Sequence, residues 1–250
     1  MKSQSQRKDL LGRLLQELDQ GQDSKGNALD IKDIQTEAFG FIVAGSHTTA
    51  ATITLLLWHL FHNQDSLQRL QNEIMTVKRQ GDNLCYAYSD VVNLPYLQAC
   101  VTENLRISPV FVLPLMRVVP PGGKTIAGEF VPPGTDVSIC NHVLHRDASE
   151  FGDNLDKFIP ERWLEESNNS SQYLMSFGSG HRACLGRNIV TTEIYKVVAS
   201  LFSRYNFEHR TTTEGMDHLN RLPRTKSSGI ADLEGKLIVK VSRRSRLAQV

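Results

Sequence analysis

The sequence predicts a mainly α-helical fold that carries small β-sheets in its second half. Apolar residues recur at helical spacing through most of the first 107 residues, which is typical of amphipathic and core helices. From Pro109 onward, prolines and glycines interrupt the helical pattern and the apolar runs become short. A helical pattern then returns over residues 186–205, so the chain is mixed α and β with α predominating.

Composition excludes several classes of protein. The chain has 250 residues, and 28 Lys and Arg against 27 Asp and Glu give a formal charge of +1, so no nucleic-acid partner is expected. An apolar content of 40% is ample for a folded core. The cysteines form no CxxC pair and follow no secretory leader, so neither a disulfide framework nor a zinc cluster is expected. They are Cys85, Cys100, Cys140 and Cys184.

Four helices are predicted before Pro109. Asp30 is a candidate N-cap for the longest of them, and Asp33 lies in its first turn, where a carboxylate favours the helix dipole. The predicted helices are Lys8–Leu18, residues 30–62, Leu67–Arg79 (ended by Gly81) and residues 94–107 (ended by Pro109).

The long central helix could be mistaken for a membrane span. Between Ala38 and Gln64 there is no Asp, Glu, Lys or Arg, and a spanning helix needs about 20 apolar residues. The same stretch contains one serine, four threonines and three histidines, a polar load that lipid-facing positions would have to absorb. We therefore expect a helix buried in protein.

The second half predicts short strands and a long irregular segment. Thr125–Val131 and Asp136–Ile139 flank Pro132-Pro133-Gly134, which indicates a strand–turn–strand unit. Asp147–Tyr173 is irregular, the last helix covers residues 186–205, and Lys236–Val241 is a short terminal strand.

The most informative stretch is residues 177–186, Phe-Gly-Ser-Gly-His-Arg-Ala-Cys-Leu-Gly. Glycines allow the backbone to approach a bulky planar group, and a helix N-terminus stabilises a thiolate. The residues alone are compatible with a metal ligand, a nucleophile or a cysteine buried in a glycine turn. A phosphatase-like nucleophile would need an arginine closing the loop, but Ile189 and Val190 stand there.

Residues 177–186 resemble the haem-binding loop of the cytochrome P-450 superfamily. Four further elements, in the order and spacing of that superfamily, carry the resemblance over essentially all 250 residues, and several phrases are most similar to fungal microsomal members. They are Ala44-Gly-Ser-His-Thr-Thr49, Glu103-Asn-Leu-Arg106, His145-Arg146-Asp147 and Pro160-Glu-Arg-Trp163.

The resemblance implies a set of haem-binding residues. Cys184 would be the axial thiolate and metal ligand of haem b, Phe177 would pack against the ring, and Arg182 and Arg117 would neutralise the propionates. Gly178 and Gly186 belong to the same cofactor-binding loop.

Glu103, Arg106 and Arg162 would form a buried charged triad that supports the fold. Two forked guanidinium groups can satisfy both oxygens of a buried carboxylate. The alternative is a solvated surface pair between Glu103 and Arg106, since residues three apart on a helix often form one.

On the central helix, the resemblance makes Thr48 and His47 the catalytic pair. Thr48 would hold dioxygen and order a water for proton delivery, and it can at the same time bond its own preceding turn and bend the helix. The family usually has Asp or Glu where this chain has His47. Imidazole also transfers protons near neutral pH, so His47 keeps the role or marks an isomerase-type reaction.

The substrate-facing residues are expected on two apolar segments, and both predict only an apolar substrate. They are Phe41 and Ala44 on the central helix, and Phe111, Val112 and Leu113 after Pro109.

The implied activity is that of a haem-thiolate monooxygenase in secondary or xenobiotic metabolism. It would insert one oxygen atom from dioxygen into a small apolar substrate, with electrons from NADPH through a separate reductase. Three alternatives stay open: a truncated inactive fragment, a non-oxygenase haem-thiolate isomerase or dehydratase, and an unrelated cysteine enzyme.

Superfamily members are about twice as long as this chain, so residues 1–250 are expected to be the carboxy-terminal half of the fold, one incomplete domain. Membrane contact would then be made only by the amino-terminal half, and a full-length relative would lie at the endoplasmic reticulum membrane.

Overall fold

A computed structural model describes residues 9–19, 30–78, 85–165, 170–209 and 222–244. Within them the chain is mainly helical with small antiparallel sheets, as the sequence predicts. The helices are α1 (Leu10–Asp19), α2 (Ile31–His62), α3 (Gln64–Met75), α4 (Tyr88–Val91), α5 (Pro95–Ile107), α6 (Asn141–Leu144), α7 (Ala148–Phe151) and α8 (Arg187–Arg204). The strands are β1 (Arg117–Val118), β2 (Lys124–Ile126), β3 (Glu129–Val131), β4 (Asp136–Val137), β5 (Tyr205–His209), β6 (Thr225–Ser227), β7 (Ala231–Leu233) and β8 (Val239–Arg243).

The chain divides into two compact units, residues 1–47 and 48–250. In the first unit, Asp30 caps the start of α2 as predicted. Its Oδ1 accepts hydrogen bonds from the backbone N–H groups of Lys32 at 2.7 Å and Asp33 at 3.0 Å, while Asp33 Oδ2 accepts from the Asp30 N–H. This reciprocal arrangement satisfies backbone donors at the start of α2.

The core of the second unit lies between α3, α5, α8 and the part of α2 that belongs to this unit. Its side chains are almost completely buried, and on α3 they recur every three or four positions along one face. They include Leu56, Leu60, Leu70, Ile74, Leu97, Val101, Val198 and Phe202.

Helix α5 is capped by a residue from another helix. Pro95 occupies its first turn, and Leu94, the N-cap residue, has no side chain that can accept a hydrogen bond. Glu73 of α3 accepts instead from the N–H groups of Tyr96 at 2.7 Å and Leu97 at 2.8 Å. The start of α5 is therefore held on α3 by a carboxylate at the positive end of the helix dipole.

The predicted strand–turn–strand unit around Pro132-Pro133-Gly134 is wrong. Strand β3 pairs with β2, across a two-residue turn at Ala127 and Gly128, and β4 pairs with β1. Both turn residues have positive φ, 50° and 89°, which is the backbone geometry that joins antiparallel strands most tightly.

Other predicted boundaries shift by a few residues. The helix predicted over Leu67–Arg79 is α3, and Arg79 and Gly81 lie outside the described residues. The terminal strand is β8, which pairs with β5 in the register Phe207 to Val241. A further two-stranded sheet joins β6 to β7.

Burial of α2 differs from the expectation of a helix enclosed along its length. The helix is long and apolar enough to cross a membrane, yet only 28% of its most apolar window is buried. Leu55, Leu56 and Leu60 are fully buried, whereas Phe39 and Ile42 are 68% and 66% exposed. Composition makes a stretch apolar, but burial depends on neighbours that composition does not specify.

Candidate functional site

Glu103 and Arg106 form a bidentate ion pair inside the second unit. Both residues lie on α5, and both side chains are completely buried. Arg106 Nε donates to Glu103 Oε2 and Arg106 Nη2 donates to Oε1, each at 2.8 Å. The structure thus places the pair in the interior, whereas a solvated surface bridge would lie at the boundary with water.

Arg162 joins the same carboxylate from the 3-10 helix Pro160–Trp163. Its Nε donates to Glu103 Oε1 at 3.2 Å, and its side chain is 10% exposed. The second guanidinium also donates to the backbone oxygen of Phe151. The three side chains named by the sequence therefore meet in one cluster.

Two donors to Glu103 escaped the sequence analysis. The indole Nε1–H of Trp163 donates to Oε2 at 2.8 Å, and the backbone N–H of Ile159 donates to Oε1 at 3.0 Å. With the three guanidinium contacts, the carboxylate accepts five hydrogen bonds, which replace the water that a buried carboxylate lacks. An N–H-bearing ring directly after Arg162 was the available signal for the first of them.

Arg106 also binds backbone oxygens beyond α5. Its Nη1 donates to the carbonyls of His145 at 3.1 Å and Leu155 at 2.9 Å, and its Nη2 to that of Lys157 at 3.3 Å. The Arg106 side chain therefore holds the irregular segment around residues 145–157 against the end of α5.

The cysteine loop, residues 177–186, turns back on itself directly before α8. The N–H of Cys184 donates to the carbonyl of Phe177 at 2.8 Å, which closes the loop. Gly178 has a φ of +66°, a conformation that L side chains rarely adopt, so this position needs glycine. A Cβ at Gly186 would meet Cys184 Sγ at an ordinary 3.8 Å, so contacts in this structure do not demand glycine there.

The cysteine loop carries an exposed thiol, and an arginine of α8 lies close to its aromatic ring. The thiol of Cys184 is exposed and forms no disulfide. The guanidinium carbon of Arg187, at the start of α8, lies 5.7 Å from the centre of the Phe177 ring, within the range of a cation–π contact.

The two candidate propionate-binding arginines have different surroundings. Arg182 is exposed and ends the 3-10 helix Gly180–Arg182 inside the cysteine loop. Arg117 is also exposed, but its Nη1 donates to the carbonyls of Met116 at 2.9 Å and Leu115 at 3.4 Å. Arg117 is thus folded onto its own segment.

Thr48 and His47 lie next to each other on α2, with His47 exposed in the first unit and Thr48 half-buried in the second. The Thr48 carbonyl accepts from Thr52 Oγ1 at 2.8 Å, and the Thr52 carbonyl accepts from Asn104 Nδ2 at 3.1 Å. Asn104 Oδ1 is buried and has no hydrogen-bond partner among the residues that the structure describes. Helix α5 therefore binds α2 one turn after Thr48.

The candidate substrate-facing residues are split between the two units. Phe41 and Ala44 are exposed in the first unit. In the second, Phe111 pairs with Ile230, and Val112 N–H donates to the Gly229 carbonyl at 3.3 Å, so this segment lies along the β6–β7 hairpin. Leu113 is 54% exposed. The sequence pattern did not predict this hairpin.

The residues of the cysteine loop fit a haem group. A free, accessible thiol supplies a ligand for iron, and an exposed arginine two residues earlier suits an acidic edge. Leu185, which directly follows the cysteine, is 89% exposed, and Ile189 in the first turn of α8 is 52% exposed, which leaves apolar surface for a large planar group to cover.

Comparison with known proteins identifies the family. The cytochrome P450 family model matches residues 1–231. The cytochrome P450 monooxygenase cicH of Emericella nidulans is 43% identical over 176 residues, covering 69% of this chain and 35% of the relative. The cytochrome P450 monooxygenase ACRTS1 of Alternaria alternata is 33% identical over 208 residues, covering 81% and 54%.

A third relative, the cytochrome P450 monooxygenase mpaDE of Penicillium roqueforti, is 39% identical over 176 residues, covering 68% of this chain and 21% of its own length. The chain thus spans between 21% and 54% of the length of these three curated relatives. A family match over nearly the whole chain, together with a buried Glu-x-x-Arg pair and an accessible cysteine before the last long helix, shows that the protein belongs to the cytochrome P450 family.

Proposed function

We propose that the protein is a haem-thiolate monooxygenase, or the part of one that carries the iron ligand and the oxygen-activating helix. The observation that carries the proposal is the cysteine loop, which presents the free Cys184 thiol on a turn closed by its own backbone N–H. Haem, when bound, supplies the redox-active iron that activates dioxygen for insertion of one oxygen atom into a substrate. Fungal relatives named as cytochrome P450 monooxygenases support the same activity.

The chain's own residues have distinct parts in this proposal. Cys184 binds the cofactor as thiolate, Phe177 packs against it, and Arg182 binds its acidic edge. The Thr48 hydroxyl orders a water on the oxygen-activating helix, and the His47 imidazole receives and passes on a proton. Electrons come from NADPH through a separate reductase.

The substrate is a small apolar organic molecule of secondary or xenobiotic metabolism. Its proposed contacts include Phe111, Val112 and Leu113, since this segment is apolar and partly exposed. Val112 also lines a small cavity with Leu55, Pro109 and Ala231, among other residues. For a full-length protein that contains this chain, the proposed location is the endoplasmic reticulum membrane.

The test is the absorption spectrum of the reduced protein under carbon monoxide, which reports a thiolate ligand. Cys184→Ser should abolish the thiolate-type spectrum. Cys85→Ser and Cys140→Ser are the matched controls, because these cysteines lie outside the loop, and both should keep it. A thiolate-type spectrum that survives in Cys184→Ser would refute the assignment, and a parent chain without any haem spectrum would favour an inactive fragment.

A second candidate is a haem-thiolate isomerase or dehydratase, which is favoured by His47 in place of the family's usual acid. Such an enzyme needs neither NADPH nor a reductase. Product formation by the haem-loaded protein without either would support it, whereas strict dependence on both would support the monooxygenase.

A further inference from the structure

His145 is completely buried, and both nitrogens of its ring are engaged. The backbone N–H of Met175 donates to Nε2 at 2.9 Å, and because a backbone N–H can only donate, Nε2 carries no proton. Nδ1 therefore carries the proton and donates to the carbonyl of Arg106 at 3.2 Å. Burial, the largest influence, lowers the His145 pKa to about 4, so the ring is neutral near pH 7.

The contact between His145 and Arg106 is reciprocal. The His145 ring donates to the Arg106 carbonyl, and the Arg106 guanidinium donates to the His145 carbonyl at 3.1 Å. Arg106 is itself fixed by two hydrogen bonds to Glu103. The charged cluster thus fixes His145 relative to the end of α5.

His145 links the end of α5 to the segment that leads into the cysteine loop. Met175 binds the His145 ring, and the next residue, Ser176, donates through Oγ to the carbonyl of Leu105 at 2.8 Å. The residue after that, Phe177, accepts the N–H of Cys184 at 2.8 Å. A path of hydrogen bonds and two intervening peptide units therefore connects Arg106 to Cys184 through His145.

We propose that His145 is a positioning residue that holds the cysteine loop against the end of α5 and thereby determines the position of the Cys184 thiol. The proposal rests on the proposed role of Cys184 as iron ligand. It requires a side chain that accepts at one end and donates at the other, which imidazole does across its ring. The alternative is packing alone, since the His145 ring also lies edge-on to the Phe151 ring, with 6.2 Å between the two ring centres.

Amide hydrogen exchange on the 250-residue chain separates the two roles. His145→Phe keeps a flat ring and removes both hydrogen bonds, so exchange in residues 175–184 should become roughly tenfold faster. Exchange in α8 should not change, because its core contacts do not involve the link. His145→Gln supplies an acceptor and a donor and should restore most of the protection.

His142→Phe is the matched control, since His142 is exposed on α6 three residues before and should leave the loop protected. Equal acceleration in the loop and in α8, or none in the loop, would overturn the proposal. Nitrogen chemical shifts of the parent protein give a test that needs no variant: the Nδ1–H tautomer of His145 is expected, and the Nε2–H tautomer would refute the link.

In haem-loaded protein, His145→Phe should also lose part of the thiolate-type spectrum under carbon monoxide, and His145→Gln should retain it. An unchanged spectrum in His145→Phe would overturn the effect on the thiol. If Cys184→Ser instead keeps the thiolate spectrum, the ligand assignment fails while the exchange result still decides whether His145 holds the loop.

Discussion

Replacing Glu103 by glutamine tests how much the buried charged cluster contributes to stability. Glutamine preserves the volume of the side chain but removes its charge and turns one acceptor oxygen into a donating amide. Arg106, completely buried, and Arg162, with a side chain 10% exposed, would then face no carboxylate. Trp163 and Ile159 would compete for the single remaining oxygen.

The expected loss of unfolding free energy is about 3–5 kcal/mol, the usual cost of removing one partner of a buried ion pair. For a folded unit of this size, each kcal/mol lowers the melting temperature by about 2–4 °C. The melting temperature of Glu103→Gln should therefore fall by roughly 6–20 °C. Thermal unfolding followed by circular dichroism measures it.

Glu208→Gln is the matched control. Glu208 Oε2 binds Lys240 Nζ at 3.0 Å, a distance close to those in the buried pair, but the two side chains are 64% and 60% exposed. An exposed pair contributes about 0–1 kcal/mol, so this variant should melt within about 4 °C of the parent. If Glu103→Gln melts as close to the parent as Glu208→Gln does, the reasoning on the buried cluster is refuted.

Three further predictions concern single side chains. Trp163→Phe removes one hydrogen bond to the Glu103 carboxylate and should cost about 1.5–3 kcal/mol in a denaturant titration, and an unchanged midpoint would show that this bond contributes nothing. Burial lowers the pKa of His59 from 6.5 to about 3, so the unfolded chain binds its proton first as the pH falls. The contribution of His59 to the free energy of unfolding is therefore undiminished above pH 6.5, and between pH 6.5 and pH 3 it falls by about 1.4 kcal/mol for each pH unit. His59→Phe should remove this part of the pH dependence of stability, and an unchanged pH dependence would contradict the prediction. In a haem-loaded full-length protein that contains this chain, His47→Ala should raise the hydrogen peroxide formed per NADPH and His47→Asp should restore product, whereas equal coupling in all three proteins would remove the proton-transfer role proposed for His47.

The helices were predictable because their signals are local. The apolar period predicts a helix that begins at residue 94, and α5 begins at Pro95. The Asp30 carboxylate can accept hydrogen bonds from backbone N–H groups, so its position predicts the start of α2. The pairing of strands β1 to β4 was not predictable in the same way. Pro132 and Gly134 are strong turn signals, but β3 pairs with β2 before that turn, and β4 after it pairs with β1, a strand that is distant in sequence.

The candidate site divides along the same line. The spacing of Glu103 and Arg106 on one helix makes a pair between them possible, and the motif around Cys184 identifies the family. Neither says that Trp163 supplies a fifth hydrogen bond or that the His145 ring joins α5 to the cysteine loop, because these contacts link residues 30 to 60 positions apart.

The order of residues along the chain therefore decided which helices form, which charged side chains share a face and which cysteine precedes a helix. Those properties depend on backbone propensity and on periods of three or four residues. Tertiary structure alone decided that the Glu103 carboxylate is enclosed by five donors and that Cys184 is exposed. Burial and hydrogen-bond partners are properties of packed surfaces, and a surface takes its neighbours from segments that are distant in sequence.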